Sequence, residues 1–197
     1  MTRIIAGRLR GRQLRVPGSG TRPTTDRVRE ALFSSIQARV DLDGGRVLDL
    51  FAGSGALGIE AVSRGADTVW LVEGSTRAAS TLERNIVGLA DLGVSAVVRK
   101  GSLPGFVQSP CPVGGGFDVV FADPPYDVAP GLDSAVLRAL LDGDWLAEDA
   151  LVVWERSKRS PAILWPAEFE VEFERGYGET FVEMGRRRDR VVDTVTT

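Results

Sequence analysis

A short apolar segment that runs directly into a glycine-rich turn restricts this chain to a small set of folds. Residues 46–51 (RVLDLF) are almost wholly apolar, which is typical of a strand buried on both faces of a parallel sheet. Gly53, Gly55 and Gly58 follow with the spacing G-x-G-x-x-G and lead into a helical pattern. This spacing allows a tight turn and a close approach of the backbone to a ligand. The segment therefore predicts the first strand–turn–helix unit of a ligand-binding α/β fold.

The same alternation continues along the chain. Apolar runs predict strands at 68–73, 96–99, 117–122 and 150–155, and helical periodicity predicts helices at 26–38, 57–64, 76–89 and near 132–141. Residues 168–175 and 179–187 alternate apolar and charged side chains around a glycine-containing turn, which predicts an antiparallel hairpin. We therefore predict an α/β, Rossmann-like fold with a mostly parallel sheet that ends in an antiparallel pair.

Composition excludes several classes of protein. The 197 residues, 43% of them hydrophobic, suit one globular domain. No apolar stretch approaches the roughly 20 residues of a membrane span, and the first residues lack a signal-peptide core, so we expect a cytoplasmic protein. The single Cys111 excludes an intrachain disulfide. Because the chain has no histidine, Ser-His and Cys-His catalysis and His-ligated metals are excluded, and we expect no metal.

Positive charge is concentrated at the start of the chain. Residues 1–29 contain eight arginines and one acid, a net charge of +7, so the remaining 168 residues carry −10. A basic arm on an acidic body is typical of a protein that binds a polyanion, although a solvated tail would show the same charge. Residues 3–15 also contain apolar side chains around two glycines, which predicts a small hairpin. We divide the chain into a basic arm at 1–20 and a Rossmann-like domain at 21–197.

The turn Asp123-Pro124-Pro125-Tyr126 follows the predicted strand 117–122. The Asp123 carboxylate and the Pro124 carbonyl could accept hydrogen bonds from an exocyclic base amine, whose lone pair is otherwise delocalised into the ring. Tyr126 offers a face on which the base could stack. Such a turn is also compatible with ordinary proline turn chemistry, so its function depends on the second motif upstream.

The glycine turn by itself fits either a dinucleotide or S-adenosylmethionine. Glu73 lies 20 residues after Gly53 at the end of a predicted strand, where an acid can bind ribose hydroxyls in both kinds of site. Asp49, inside the first strand, favours S-adenosylmethionine, because a dinucleotide has no ammonium group for that carboxylate. The lack of histidine and the delivery of Asp123 to the same sheet edge also favour it.

These motifs together resemble a known family. Residues 49–55 (DLFAGSG) with 123–126 (DPPY) are similar to the amino-methyltransferases that modify N6 of adenine or N2 of guanine. Residues 22–33 (RPTTDRVREALF), preceded by 4–12 (IIAGRLRGR), resemble the bacterial 16S ribosomal RNA guanine-N2 methyltransferases of the RsmD type. The similarity extends over essentially the whole chain and includes residues 176–180 (GYGET). It departs at 100–103 (KGSL), where many relatives have an acid or Asn beside the cofactor adenine.

The resemblance implies a class I methyltransferase with a seven-stranded sheet, S-adenosylmethionine as the methyl donor and a guanine N2 of 16S rRNA in the small ribosomal subunit as the target. The implied catalytic residues are Asp123, Pro124, Pro125 and Tyr126. The implied cofactor-binding residues are Asp49, Phe51, Ala52, Gly53, Ser54, Gly55, Glu73, Gly74, Ser75, Gly101, Ser102 and Leu103. The implied RNA-binding residues are Arg8, Arg10, Arg12, Arg22, Thr24, Arg27 and Arg29.

Other functions share part of this pattern. An adenine-N6 methyltransferase has both motifs, and the residues alone do not separate it from a guanine-N2 enzyme, because both bases present an amine to the same acceptors. An NAD-dependent oxidoreductase would account only for the glycines, and a non-catalytic RNA-binding protein only for the basic arm. We expect a monomer, since no exposed heptad or disulfide indicates a dimer.

Overall fold

The computed structural model describes residues 2–17, 26–125 and 129–188. The helices are α1 (Asp26–Gln37), α2 (Ala56–Ser63), α3 (Thr76–Asn85) and α4 (Leu132–Asp142). The strands are β1 (Thr2–Arg3), β2 (Gln13–Leu14), β3 (Arg46–Asp49), β4 (Thr68–Glu73), β5 (Ser95–Lys100), β6 (Phe117–Ala122), β7 (Leu146–Ser157), β8 (Phe169–Tyr177) and β9 (Thr180–Arg187). The prediction of α/β alternation ended by a hairpin is confirmed.

Seven of these strands form one sheet in the order β5-β4-β3-β6-β7-β9-β8. The pairs among β5, β4, β3, β6 and β7 are parallel, and β9 lies antiparallel between β7 and β8. The strand order reverses between β3 and β6, which are neighbours although two other strands separate them in sequence. In open α/β sheets, ligands bind at the carboxyl ends of the strands on either side of such a reversal.

Apolar side chains cover both faces of the sheet. One core cluster combines β-strand residues with side chains of α1, α2 and α3, including Phe33, Ile59 and Leu82. The other packs Val136, Leu137 and Leu140 of α4 against the opposite face. The central strands are buried on both faces, which explains why their sequences are largely apolar rather than alternating.

The N-terminal strands β1 and β2 form a separate antiparallel hairpin that packs on α2. Ile4 and Leu14 belong to the core cluster that includes the apolar side chains of α1, and each is 1% exposed. The backbone N–H groups of Ile5 and Ala6 donate to the Glu60 carboxylate at 2.7 and 3.1 Å. The hairpin is therefore attached both by apolar burial and by hydrogen bonds to a buried acid.

Two elements differ most from their predicted bounds, and most of the others differ by one or two residues. Helix α3 ends at Asn85 rather than at residue 89, before Gly88, whose φ of 81° does not continue a helix. Arg12 donates to the carbonyls of Asn85 and Val87, at 2.9 and 2.5 Å, and a 3-10 turn follows at Ala90–Leu92. Strand β7 is longer than predicted because it pairs with β6 on one side and with β9 on the other. Among the described residues, no helix is long and apolar enough to cross a membrane.

Candidate active site

The turn between β3 and α2 uses each glycine of the sequence motif in a different way. Gly53 and Gly55 have φ of 52° and 79°, a region that other residues adopt only with strain. A Cβ on Gly55 would lie 2.5 Å from Leu82 Cδ1, and one on Gly58 would lie 2.4 Å from Leu71 Cδ2. The first two glycines therefore permit the turn, and the third permits α2 to pack closely on the sheet.

Glu73 joins this turn to the next one. Its carboxylate accepts hydrogen bonds from the backbone N–H groups of Gly53, at 2.9 Å, and Ser75, at 2.7 Å. Ser75 in turn caps α3 by accepting from the Ala78 N–H at 3.4 Å. Gly74, between them, is exposed. Each carboxylate oxygen of Glu73 keeps a further lone pair, so the group can still accept hydrogen bonds from ligand hydroxyls.

Asp49 is a buried carboxyl at the end of β3. It is 2% exposed, and its Oδ2 accepts from the Gly58 N–H at 3.1 Å. Burial raises the pKa of Asp49 to about 7, with smaller contributions from the nearby charges of Asp123 and Glu73. A buried carboxylate is costly without a cation, so the chemistry of this position suits a positively charged ligand group.

Asp123, Pro124 and Pro125 directly follow β6. Because Asp49 pairs with Phe121 across β3 and β6, Asp123 lies two residues beyond that level on the neighbouring strand. Asp123 is exposed to solvent, yet the surrounding protein removes enough hydration to raise the pKa of its carboxyl to about 6. The two sequence motifs thus meet at one edge of the sheet. Tyr126 lies outside the described residues.

A third carboxyl, Glu155, lies beside Asp123 and was not among the predicted site residues. Ala122 pairs with Trp154 across β6 and β7, so Asp123 and Glu155 come next on adjacent strands. Glu155 is 2% exposed, and its Oε1 has no hydrogen-bond partner among the described residues. Burial, with Asp123 and Asp49 nearby, raises its pKa well above the ordinary value. An acid at the end of the apolar run 150–154 was the sequence feature that marked it.

The remaining predicted cofactor residues lie at the same carboxyl edge of the sheet. Phe51 is half-buried, and the Ala52 N–H donates to the Val72 carbonyl at 3.0 Å. The Ser54 carbonyl accepts from Asn85 at 2.8 Å. After β5, the Gly101 N–H donates to the Glu73 carbonyl at 3.2 Å, so this segment runs beside Glu73. Ser102 is exposed there, and Leu103 is half-buried against the second core cluster.

The predicted RNA-binding arginines fall into different environments. Arg10 and Arg27 are exposed, and their side chains make no hydrogen bond or ion pair with another described residue. Arg8 donates to the carbonyls of Val62 and Ala66, at 3.1 and 3.0 Å, while its side chain stays 35% exposed. Arg12 is half-buried against the end of α3. Arg22 and Thr24 lie outside the described residues.

Arg29 is a structural residue rather than an exposed RNA contact. It is 1% exposed, and its guanidinium donates to Thr2 Oγ1, the Arg3 carbonyl and Asp26. The Glu60 carboxylate lies 3.9 Å from Arg29 Nε, and burial lowers the pKa of Arg29. Arg29 shares the inward face of α1 with the buried residues Leu32, Phe33 and Ile36, so its prediction as an RNA-binding residue is corrected.

A surface cavity of about 440 Å³ lies at the opposite edge of the sheet, near the amino ends of β3 and β6. Its lining includes Asp43, Gly45, Asp118 and Glu148. None of the motif residues lies there. This cavity is therefore not the candidate site, which lies at the carboxyl ends of β3, β4 and β6 with Asp49, Glu73 and Asp123.

Comparison with known proteins gives consistent matches. A family model described as conserved hypothetical protein 95 matches residues 2–186. The chain is 38% identical to ribosomal RNA small subunit methyltransferase D of Escherichia coli (strain K12) over 186 residues, which cover 94% of this chain and 89% of that protein. Its identity to the protein of that name from Haemophilus influenzae is 40% over 162 residues, 82% of this chain and 81% of the relative.

Solved structures agree with these matches. The structure of the Escherichia coli protein yhhF superposes with a TM-score of 0.80 at 35% identity and covers 96% of this chain and 99% of that one. A protein from Thermus thermophilus superposes with a TM-score of 0.72 at 33% identity, covering 93% and 98% of the two chains. The similarity therefore includes both the Rossmann-like sheet and the N-terminal hairpin region.

Proposed function

This chain belongs to the family of the ribosomal RNA small subunit methyltransferase D proteins, and we propose that it transfers a methyl group from S-adenosylmethionine to N2 of a guanine in 16S rRNA. Methylation of ribosomal RNA follows from the family, whereas the base and atom are our proposal. The observation that carries it is the meeting of the glycine turn at Gly53 and Gly55 with Asp123 and Pro124 on adjacent strand ends.

The residues at this edge fit S-adenosylmethionine. Asp49 is a buried carboxylate suited to the cationic amino-acid end, and the Gly53–Gly55 backbone would approach the methionine part without side-chain obstruction. Glu73 would accept the ribose hydroxyls through its free lone pairs. Phe51, Ala52, Ser54, Gly74 and Ser75 would line this half of the site, and Gly101, Ser102 and Leu103 the adenine half.

The proposed chemistry needs acceptors rather than a strong base. Asp123 and the Pro124 carbonyl would accept the two amine hydrogens, which shifts the nitrogen towards sp³ and localises its lone pair for attack. The methylated nitrogen then has one proton to lose, and Asp123 is the adjacent group that would take it. When bound, the sulfonium cofactor supplies an already electrophilic methyl group. The protein contributes alignment and fixed electrostatics, which are large effects when geometry is right. Tyr126 is proposed to stack on the base.

The N-terminal hairpin, together with Arg27 at the start of α1, is proposed to hold the RNA. Arg10 and Arg27 carry exposed charge that no other described residue pairs, and Arg8 and Arg12 keep part of their guanidinium groups available. Arg22 and Thr24 remain candidates, and Arg29 is omitted because it is buried. The target base must leave its stack at a cost of a few kcal/mol, and phosphate contacts of this kind would offset it. Arg10→Ala should weaken RNA binding and flatten its salt dependence while leaving cofactor affinity unchanged.

Asp123→Asn tests the proposed chemistry. The amide keeps the shape of the side chain but replaces one acceptor oxygen with a donor, so methyl transfer should fall by about 100-fold, the typical cost of one preorganised group. Cofactor affinity should stay within about threefold, because Asp123 acts on the base. The exposed Asp91→Asn is the matched control. Near-normal turnover in Asp123→Asn would refute the role given to this residue.

The identity of the product distinguishes the competing functions. Unmethylated small subunits, naked 16S rRNA and double-stranded DNA are each incubated with the protein and labelled cofactor, and nucleosides are separated by mass spectrometry. N2-methylguanosine from ribosomal RNA supports the proposal. N6-methyladenosine would replace it with adenine chemistry. Failure to bind S-adenosylmethionine would indicate a non-catalytic RNA-binding protein or an NAD-dependent oxidoreductase.

The pKa of Asp123 predicts how the rate depends on pH. With a pKa of about 6, the carboxyl is about 90% ionised at pH 7 and about 10% ionised at pH 5. Because the ionised form accepts the amine hydrogens, single-turnover methyl transfer should fall as the pH decreases through 6. A rate that is constant down to pH 5 would contradict this assignment.

A further inference from the structure

Asn85, the last residue of α3, is a buried amide between the N-terminal hairpin and the cofactor turn. It is 4% exposed, and neither the family resemblance nor the glycine motif includes it. Its Nδ2 donates to the Ser54 carbonyl at 2.8 Å and to the Arg15 carbonyl at 2.8 Å, and its Oδ1 accepts from the Arg15 N–H at 3.0 Å. One side chain thus contacts the backbone of both functional segments.

The contact on the hairpin side is stiff. The side chain of Asn85 binds both the N–H and the C=O of Arg15, as the backbone of a neighbouring strand would. Its two amide hydrogens are both used, one for the Arg15 carbonyl and one for the Ser54 carbonyl. Arg12 reinforces it by donating to the carbonyls of Asn85 and Val87, at 2.9 and 2.5 Å. Because the group is buried, water does not compete for these hydrogen bonds.

The contact on the cofactor side reaches the most constrained part of the turn. Ser54 lies between Gly53 and Gly55, both in the left-handed region of φ. The Cδ1 of Leu82, three residues before Asn85 on α3, lies 2.5 Å from the position that a Cβ on Gly55 would take. A small displacement of the end of α3 therefore changes the support of the segment proposed to carry the cofactor.

We propose that Asn85 is a positioning residue that couples the two sites: a hairpin held by RNA fixes the cofactor turn through Asn85, and bound cofactor fixes the hairpin in the same way. This inference rests on the function proposed above. Coupling between two sites is reciprocal, so each ligand should raise the affinity for the other by the same factor.

The test measures that factor directly. Affinity for unmethylated small ribosomal subunits is determined with and without saturating S-adenosylhomocysteine, which binds without reacting. In the unaltered protein we expect at least a threefold gain, about 0.65 kcal/mol of coupling. Asn85→Asp keeps the acceptor for Arg15 but loses both donated hydrogen bonds, and Asn85→Ala loses all three. In both variants S-adenosylhomocysteine should no longer change the affinity for subunits, so the ratio of the two affinities should be one. Gln13→Glu adds the same charge to the exposed face of the hairpin without contacting Ser54 and should keep the gain.

A second measurement needs no variant. Hydrogen exchange of the amides at residues 53–55 is followed in the unaltered protein as unmethylated small ribosomal subunits are added without cofactor. Slower exchange supports the inference. Unchanged exchange, or a folded Asn85→Asp protein that keeps the full coupling factor, overturns it. If the unaltered protein binds neither cofactor nor subunits, the function proposed above fails instead, so the two failures are distinguishable.

Discussion

Replacing Asp49 with Asn separates the effect of the buried carboxyl on stability from its proposed role in cofactor binding. Asp49 is 2% exposed, and burial raises its pKa to about 7 from an ordinary value of 3.8. A carboxyl whose pKa is raised in the folded state contributes stability at low pH and loses it as pH rises through the folded pKa. Asn has a similar shape and no charge, so the variant should not lose stability over this range.

The magnitude follows from the same shift. Each pKa unit corresponds to about 1.4 kcal/mol, so the stability of Asp49→Asn relative to the unaltered protein should increase by roughly 2 to 3 kcal/mol between pH 5 and pH 8. Asn accepts the Gly58 N–H through its oxygen, which keeps that hydrogen bond. Cofactor affinity should fall at least about tenfold, because one charge-assisted hydrogen bond contributes roughly 1.5 to 3 kcal/mol.

Urea unfolding at pH 5, 6, 7 and 8 measures the first effect, and calorimetric titration with S-adenosylmethionine measures the second. Asp91→Asn removes an exposed carboxyl and should leave stability unchanged at every pH. A stability difference for Asp49→Asn that does not change with pH would refute the argument that this carboxyl titrates near neutrality. Unchanged cofactor affinity would refute its assignment to the cationic end of the ligand.

Three further substitutions test the packing that positions the site. Gly58→Ala places a Cβ 2.4 Å from Leu71 and should cost about 1 to 3 kcal/mol in urea unfolding. Gly7→Ala places a Cβ 1.8 Å from the Ser63 carbonyl oxygen, so the hairpin should detach and trypsin should cleave residues 8–15 faster. Gly11 has a similar φ but no atom within 4 Å of its Cβ position, so Gly11→Ala is the control and should remain resistant. Glu60→Ala should destabilise the protein by roughly 3 to 5 kcal/mol in thermal or urea unfolding, because Arg29 then loses its buried counter-charge; stability within about 1 kcal/mol of the unaltered protein would contradict that pairing.

The sequence predicted those parts of the fold that local patterns determine. Strands β4 and β6 have the predicted bounds because each is mostly apolar, with Asp118 as the one charged residue inside β6 and Glu73 at the end of β4. The contact of Arg12 with the end of α3 was not predictable locally, since it joins residues 73 positions apart in sequence. The meeting of the two motifs followed from topology, because parallel strands bring their carboxyl ends to one edge.

Charge composition was less informative about individual arginines. The +7 segment indicated a polyanion-binding arm, but a count of charges does not separate exposed residues such as Arg10 from buried ones such as Arg29. Helical periodicity does, because Arg29 shares a face with Leu32, Phe33 and Ile36. Its burial changes the interpretation of the arm: part of the positive charge neutralises Glu60 inside the fold, and the remainder is available at the surface.

The three carboxyls at the sheet edge explain why the site suits a cationic ligand. Asp49 ends β3, Asp123 follows β6 and Glu155 lies near the end of β7, on three neighbouring strands. Burial raises the pKa of Asp49 and Glu155, and loss of hydration raises the pKa of the exposed Asp123. The buried cation on this side of the sheet, Arg29, is already paired with Asp26 and lies 3.9 Å from Glu60. Near neutral pH the three carboxyl groups are therefore not all ionised, and each further ionisation costs stability. A ligand that brings positive charge to this edge lowers that cost. An anionic dinucleotide would increase it, which is why these carboxyl groups, rather than the glycine spacing, favour S-adenosylmethionine.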